Sequence, residues 1–501
     1  MQSRNELALC KSRRTPLAVC LGSIFVLSAP TATAATTFYV DRCDEGIVQY
    51  DETHGSLRWA LMDTVAQSGD VIDMNLVKGY CSTISLTTGD LPIPQESLTI
   101  AGPGASYLTI DASNLPVFSP HYARVFTHKG FGKLSISGVT LSGGYNAQSG
   151  YYGTVGGCLY SSGSVDLYGV VISSCITKQD GLAPSGGGGV FAANLKLRFS
   201  TLTGNAAGGV QARGGGAFVP GKFEAFYSTI SDNGAGSLGG SGGGGLYARG
   251  EVRFVASTIS GNHTSGSGGG VYVNRFEPGL GSFYLIASTI SGNSANESAG
   301  GLSVNSGYAG FLNSTVAFNI QTNFPAPPTP TPGVVLKSGD AGMFVALHST
   351  LLSNNTFYYT LNDGIENDLA VSSVPGHPVL FNDAPVNPGY SLIRVSSYDH
   401  AKLPQDTIFD VCPLLGPLRD NGGLTSTHAL QSGSPAINTG NSDLLTAYDQ
   451  RGSAMTNGVI DYLRPSGGGD FFADIGAYEV QFGDIVFDAS FEGCPPSLAV
   501  P

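Results

Sequence analysis

The residues of this sequence best suited to chemistry are few and scattered. Asp449, Arg451, Asp474 and Glu479 fall within one short C-terminal stretch. A buried arginine between such carboxylates would lock a terminal region in place. The acids Asp449, Asp474 and Glu479 are the alternative, less favoured, set for a hard cation such as calcium, which takes oxygen ligands. His428 sits in Thr-His-Ala-Leu between apolar neighbours and reads as a packed, hydrogen-bonded histidine rather than a general base. Cleaving an acidic polymer would need a cation-binding acidic cluster with a basic residue beside it. Asp232, Asp340, Asp363, Glu366 and Asp368 with Arg213, Arg249 or Arg253 could supply one if the fold placed them on one face. The densest acids, from Asn362 to Asp368, read as a solvated turn. No catalytic or cofactor-binding residue can be assigned from sequence.

What must position any of these residues is a repeat. The chain has 71 glycines and only 12% charged residues, which means many tight turns, while 41% hydrophobic residues exclude wholesale disorder. One phrase recurs as Ser200-Thr-Leu-Thr-Gly-Asn205, Ser228-Thr-Ile-Ser-Asp-Asn233, Ser257-Thr-Ile-Ser-Gly-Asn262 and Ser288-Thr-Ile-Ser-Gly-Asn293. Looser copies span Ser314 to Asn319 and Ser349 to Asn354, and earlier relatives begin at Gly138 and Val170. Upstream of each phrase lies an alternating strand, with Leu195 and Leu197, Val252 and Phe254, and Phe283 and Leu285 in equivalent positions. The phrase's own Leu or Ile falls an odd five residues later, so the Ser-Thr pair must bend or bulge the strand for both to face inward. Glycine runs such as Gly187–Phe191 and Gly243–Tyr247 precede these strands.

One such unit cannot bury its apolar side alone, but stacked copies can, with like residues in columns ~4.8 Å apart. The pattern therefore predicts an all-β, right-handed parallel β-helix with a short N-terminal capping helix and a C-terminal cap region. The closing Asn residues suit a ladder of amides along the stack. A propeller needs four strands per ~40–45-residue blade, more than these units hold. Ser56-Leu-Arg-Trp59-Ala-Leu61 predicts the capping helix, with Trp59 packing the cap. The proline-rich stretch from Pro325 to Gly333 reads as an exposed loop inserted in one rung.

The N-terminus reads as an export signal: Lys11, Arg13 and Arg14, an apolar run from Leu17 to Leu27, and Ala32-Thr33-Ala34 for cleavage. Of eight cysteines, Cys10 and Cys20 fall in this leader; Cys43, Cys81, Cys158, Cys175, Cys412 and Cys494 remain, and an exported chain permits disulfides. Cys43 with Cys81 is the preferred pair, since both flank one N-terminal unit. Cys158 and Cys175 are either a pair or two separately buried thiols. The net charge of −13 argues against nucleic acid as a partner. No transmembrane segment is expected after cleavage. The expected organisation is a leader (1–34), an N-terminal cap (35–96), repeats (97–395), a C-terminal region (396–480) and a tail (481–501).

The C-terminal region carries five motifs in order: Leu415-Gly-Pro-Leu-Arg-Asp-Asn-Gly-Gly423, Thr427-His-Ala-Leu430, Gly433-Ser-Pro-Ala-Ile-Asn438, Asp449-Gln-Arg-Gly452 and Asp474-Ile-Gly-Ala-Tyr-Glu479. Together they resemble the choice-of-anchor Q domain of exported bacterial proteins, which have a pectin-lyase-like β-helix. The repeats resemble, more loosely, those of polymorphic outer-membrane proteins. The resemblance implies architecture and export to the cell surface or beyond. It carries over no catalytic residues, because the family's activity is not established. Polygalacturonases of this fold carry Asn-Thr-Asp, Asp-Asp and Gly-His-Gly motifs, and this sequence has none of them. The expectation is thus a non-catalytic exported protein that binds a polysaccharide or surface protein or serves in the envelope. The alternative is a polysaccharide lyase or glycoside hydrolase. Calcium is the one cofactor the acids could accommodate.

Overall fold

A computed structural model describes residues 34–115, 122–148, 154–179, 183–236, 242–274, 282–305, 307–322, 330–338, 342–358, 364–381, 389–441, 448–452, 464, 473–481 and 494. The N-terminal stretch through Thr33 that was read as a leader, Asp340, Asp363, most of the proline stretch and nearly all of the tail lie outside the described residues.

From Thr36 onward the chain forms one compact unit. It is the parallel β-helix that the repeat predicts. Three sheets of 21, 12 and 10 strands run its length, here called sheets 1, 2 and 3. Sheet 2 takes its strands in strict chain order, so each circuit of the chain adds one rung. Its twelve rungs make a stack about 50 Å tall.

Each phrase supplies one strand of sheet 2. Its central aliphatic points inward and pairs in register with the next, as in Leu202, Ile230, Ile259 and Ile290, all buried. Sheet 1 supplies two further inward columns. Leu195, Phe223, Val252 and Phe283 form one, and Leu197, Ala225, Phe254 and Leu285 the other. At ~25 cal/mol per Å² of apolar surface removed from water, these continuous columns are the principal driving force for the stack.

The bend expected at Ser-Thr falls one residue earlier. Phe199, Tyr227, Ala256 and Ala287, each just before the phrase's serine, have φ of 52°, 48°, 48° and 42°. A single left-handed residue turns the chain from sheet 1 into sheet 2, so no bulge is needed to reset the alternation. The serine secures this corner, its hydroxyl accepting the main-chain N–H of the serine one rung before. Ser200 N donates to Ser228 Oγ at 3.2 Å, and Ser257 N to Ser288 Oγ at 3.0 Å. The last copy is also offset by one residue: Val316 pairs with Leu352, so the repeat there runs from Thr350 to Asn355.

The Asn column is a ladder. Asn205 donates through Nδ2 to Asn233 Oδ1 at 2.9 Å, Asn233 to Asn262 at 2.9 Å, Asn262 to Asn293 at 2.8 Å, Asn293 to Asn319 at 2.9 Å and Asn319 to Asn355 at 2.8 Å. A glycine faces each amide from Asn205 to Asn319. A Cβ placed on Gly189 would lie 3.1 Å from Asn205 Cγ. One rung earlier, Cys158 and Cys175 stand where the next rung has Gly189 and Asn205, and they are bonded to each other. The disulfide therefore begins the ladder that the amides continue.

The parallel pairing starts inside the stretch read as an N-terminal cap. Phe38, Ile72 and Ile100 already share one column of sheet 1. The alternation is present in Thr37–Val40 and Val71–Asp73, but too short in each strand to stand out. One helical turn, Leu57–Ala60, is capped by Ser56 Oγ, which accepts from Trp59 N at 3.2 Å. Trp59 is buried edge-on against Phe38. The same end holds the Cys43–Cys81 disulfide.

The C-terminal region is a flank as well as an end. A hairpin of Leu415–Arg419 and Thr427–Leu430 and the segments after it pack on the outer face of sheet 2. Thr258 Oγ1 donates to Ser426 O at 2.6 Å, and Ser291 Oγ lies 2.8 Å from His428 Nε2. Ala477 N donates to Thr315 Oγ1 at 3.0 Å. Sequence reading placed this region beyond the last rung because nothing in the outward Thr and Ser residues marks which of them are covered. Cys412 is bonded to Cys494.

Candidate functional site

Among the described residues, the acids and arginines proposed for lyase chemistry do not form one cluster. Asp232 sits at the corner from sheet 2 to sheet 3, with φ 57°. Arg213 lies on the opposite approach to sheet 1, over the Tyr247 ring at 5.5 Å. Arg249 and Arg253 belong to sheet 1 and its turn. The acidic stretch is no solvated turn: Gly364–Glu366 is an antiparallel strand against Thr356–Tyr358, and Asp368 is fully buried. Asp368 ends the amide ladder. Its Oδ1 accepts from Asn355 N and Nδ2 at 3.0 and 2.7 Å, and its Oδ2 from Val395 N at 2.9 Å. Burial, reinforced by Glu366, pushes its pKa up to about 8. Glu366 pairs with Arg394. Asp368 lies only 13 residues after Asn355 and, one before Leu369, takes the place that Gly333 holds a rung earlier, so the Asn spacing carried no signal for it.

Asp449, Arg451, Asp474 and Glu479 do come together, around an arginine that sequence reading missed. Arg464 Nη1 reaches Glu479 Oε2 at 3.1 Å and Asp474 O at 3.0 Å, and Nη2 donates to Gly476 O at 2.6 Å. Arg451 Nε donates to Asp449 Oδ2 at 2.8 Å, and its guanidinium lies 3.9 Å over the Tyr478 ring. The carboxylates are filled from the main chain as well. Asp449 Oδ2 takes Glu479 N at 2.9 Å, and Asp474 takes Asn438 N and Val480 N at 2.8 and 2.7 Å. Three buried carboxyls face two buried guanidiniums, so burial favours a proton on one acid, and Glu479 is pushed up to about 8. Arg464 has no sequence signal of its own, lying outside all five motifs. No group of three or more His, Cys, Asp or Glu arranged to hold a metal occurs among the described residues.

His428 is buried and fully engaged, with Gly416 O 2.7 Å from Nδ1 and Ser291 Oγ on the other nitrogen. Burial drives its pKa down to about 4, so the ring is neutral. It joins the hairpin to the stack and offers no free nitrogen to a substrate.

The outer face of sheet 1 carries a charged groove. Period-two alternation puts Asp166, Lys196, Glu224 and Arg253 outward, and register stacks them on successive rungs with alternating sign. Lys133 and Arg198 both bridge to Asp166, at 3.1 and 3.0 Å. Lys222 bridges Glu224 at 3.1 Å and Glu251 at 3.5 Å. The Glu224 carboxylate holds the Lys222 ammonium above its ordinary pKa. Asn194 adds a donor and an acceptor, bonding Ser164 Oγ at 3.1 Å and Lys222 N at 2.8 Å. These side chains line an open groove of about 440 Å³. Phe131, 80% exposed, stands at the turn leading into it. Sequence reading saw the alternation but not the ladder, because the charged residues belong to different copies of a degenerate repeat.

No helix among the described residues is long and apolar enough to cross a membrane. No family model matches the sequence, and no curated protein does. The crystal structure of pectate lyase Pel9A aligns with 90% of this chain and 97% of its own at 11% identity, with a TM-score of 0.41.

Proposed function

We propose that this chain is an exported, non-catalytic β-helix that binds an extracellular polysaccharide along the outer face of sheet 1. One observation carries the reading. The acids of the groove are each neutralised by a neighbouring cation, whereas the acids with strongly raised pKa, Asp368 and Glu479, are 0% and 3% exposed and lie beneath other structure. A general acid or base must reach the atom it serves. The groove instead offers a line of paired donors and acceptors that hydroxyls can enter, spaced by the rungs, which suits a polymer lying along the stack. The leader supports export, and the five C-terminal motifs, like those of choice-of-anchor Q domains, support a place at or beyond the cell surface.

Affinity electrophoresis against a panel of acidic and neutral polysaccharides, paired with assays of product release with and without calcium, tests this. Retardation without release is expected, weakened about thirtyfold in Kd by Lys196→Ala combined with Asn194→Ala, each lost hydrogen bond costing ~1 kcal/mol. Clean turnover abolished by Asp166→Asn or Glu224→Gln would sink the non-catalytic reading in favour of a lyase or hydrolase.

A further inference from the structure

The groove on sheet 1 carries a charge of its own. Over five successive rungs its outward positions and the turns beside them hold Lys133, Lys196, Arg198, Lys222 and Arg253 against Asp166, Glu224 and Glu251, five basic side chains to three acidic. The whole chain has the opposite balance, 24 basic to 37 acidic. A local positive surplus on an acidic molecule draws anions to one place and repels them elsewhere.

The register orders this surplus along the stack. Asp166 is shared by Lys133 and Arg198, at 3.1 and 3.0 Å, and Lys222 is shared by Glu224 and Glu251, at 3.1 and 3.5 Å. Lys196 stands between Asp166 and Glu224 in one column, yet both carboxylates are bridged to other cations. Arg253 follows Glu224 one rung further on and is exposed. Among the described residues, neither Lys196 nor Arg253 has an ion-pair partner. Charge therefore runs positive at Lys196, negative where one lysine serves two acids, and positive again at Arg253. The two spare cations lie two rungs apart, ~9.6 Å.

We propose, resting on the polysaccharide-binding reading above, that the ligand of this groove is an acidic polysaccharide with a carboxylate facing the sheet at every second sugar, one on Lys196 and the next on Arg253. A sugar in an extended chain advances by about the height of one rung, so two rungs span a disaccharide. The carboxylate of the first sugar meets the Lys196 ammonium. The next sugar crosses Glu224 with uncharged hydroxyls. The third brings its carboxylate to Arg253, whose planar fork can donate two parallel hydrogen bonds to it. A carboxylate on the middle sugar would face Glu224 and Glu251, which share a single lysine, and this repulsion selects against a polymer charged at every step. Asn194 and Ser164 line the same groove and give sugar hydroxyls neutral partners. Duplex nucleic acid, charged every ~1.7 Å, has no neutral step to set against Glu224.

Isothermal titration of the full chain tests this with four probes: hyaluronan, in which uronates alternate with neutral sugars, its carboxyl-reduced derivative, polygalacturonate, charged at every sugar, and duplex DNA. Hyaluronan should bind about thirtyfold more tightly than the reduced polymer and at least tenfold more tightly than polygalacturonate or DNA. Lys196→Gln and Arg253→Gln should each weaken hyaluronan about fivefold, and together about thirtyfold, while leaving the reduced polymer and Tm unchanged. Glu224→Gln should strengthen polygalacturonate binding severalfold, a gain that damage to the fold cannot give. Equal affinity for hyaluronan and its reduced derivative would overturn the proposal and leave the polysaccharide reading standing. Polygalacturonate or DNA bound as tightly as hyaluronan would overturn the spacing and with it the proposal. Binding of none of the four, with no neutral polysaccharide retained either, would remove both readings.

Discussion

Along the inner edge of the stack, Asn205, Asn233, Asn262, Asn293, Asn319 and Asn355 bury neutral amides that satisfy one another rung by rung. On the flank, Asp449, Arg451, Arg464, Asp474 and Glu479 bury five ionisable groups in a single unrepeated cluster. Both satisfy polar groups out of water, where each unpaired one would cost about 1–3 kcal/mol. They differ in what a loss removes. An amide ladder loses one link and keeps its neighbours, whereas an ion cluster that loses one charge leaves the others uncompensated. A stack of like rungs therefore relies on amides, and the one region that must dock in a single place relies on charges.

The largest effect expected from this contrast is at Arg464. Arg464→Met removes one of the cluster's two cations and orphans Glu479 Oε2 and the carbonyls of Asp474 and Gly476, at a cost of about 4 kcal/mol. The C-terminal region should loosen first, seen as early proteolytic cleavage while the β-sheet circular dichroism persists. Arg464→Met with Glu479→Leu should recover part of the loss, because the donor and the buried acceptor it bonds leave together. A double variant as unstable as the single one would mean that the cluster holds by packing, not by charge balance.

The ladder should respond by position. Asn262→Ala deprives both Asn233 N and Asn233 Nδ2 of their acceptor, at about 2–3 kcal/mol by urea denaturation. Asn205→Ala should cost roughly half as much, since Oδ1 of Asn205 serves only one donor before it, Cys175 N at 3.1 Å. Equal losses at the two sites would break the view of the ladder as a chain of independent links.

These two regions also divide what could be read from sequence. The ladder was legible because it repeats: a Ser-Thr-Ile-Ser-x-Asn phrase fixes an inward aliphatic and a ladder amide in every rung. The corner was misplaced by one residue because the turn is made by whatever precedes the serine, and Phe199, Tyr227 and Ala256 share no chemistry. Four members of the ion cluster were legible as motif residues, but Arg464 was not, since nothing in the chain marks which distant guanidinium a fold will bury. The burial of Asp368 was misread because its surroundings look polar in sequence, and it meets the ladder from the glycine side, 13 residues after Asn355 rather than one repeat on. The charged groove follows from register alone, which a degenerate repeat of 26 to 35 residues hides.

Each region also holds one acid whose pKa is pushed up to about 8, Asp368 at the ladder's end and Glu479 in the cluster. Burial is the main cause in both, since it penalises the charged form, and a second carboxyl nearby adds to it. The ordinary values are 3.8 and 4.5, so between those values and about 8 the folded chain binds more protons than the unfolded one. Stability from these groups is therefore full below the ordinary carboxyl range and is lost as pH rises to about 8. Melting followed from about pH 5 to about pH 8.5 should show Tm falling by a few degrees, opposite to a chain whose carboxylates are stabilised as anions. Glu479→Gln removes one of the two titrations and keeps an acceptor for Asp474 N, so its slope should be shallower, and the slope that remains belongs to Asp368. A Glu479→Gln profile as steep as the wild type would place the proton elsewhere in the cluster, on Asp449 or Asp474, both of which burial also raises.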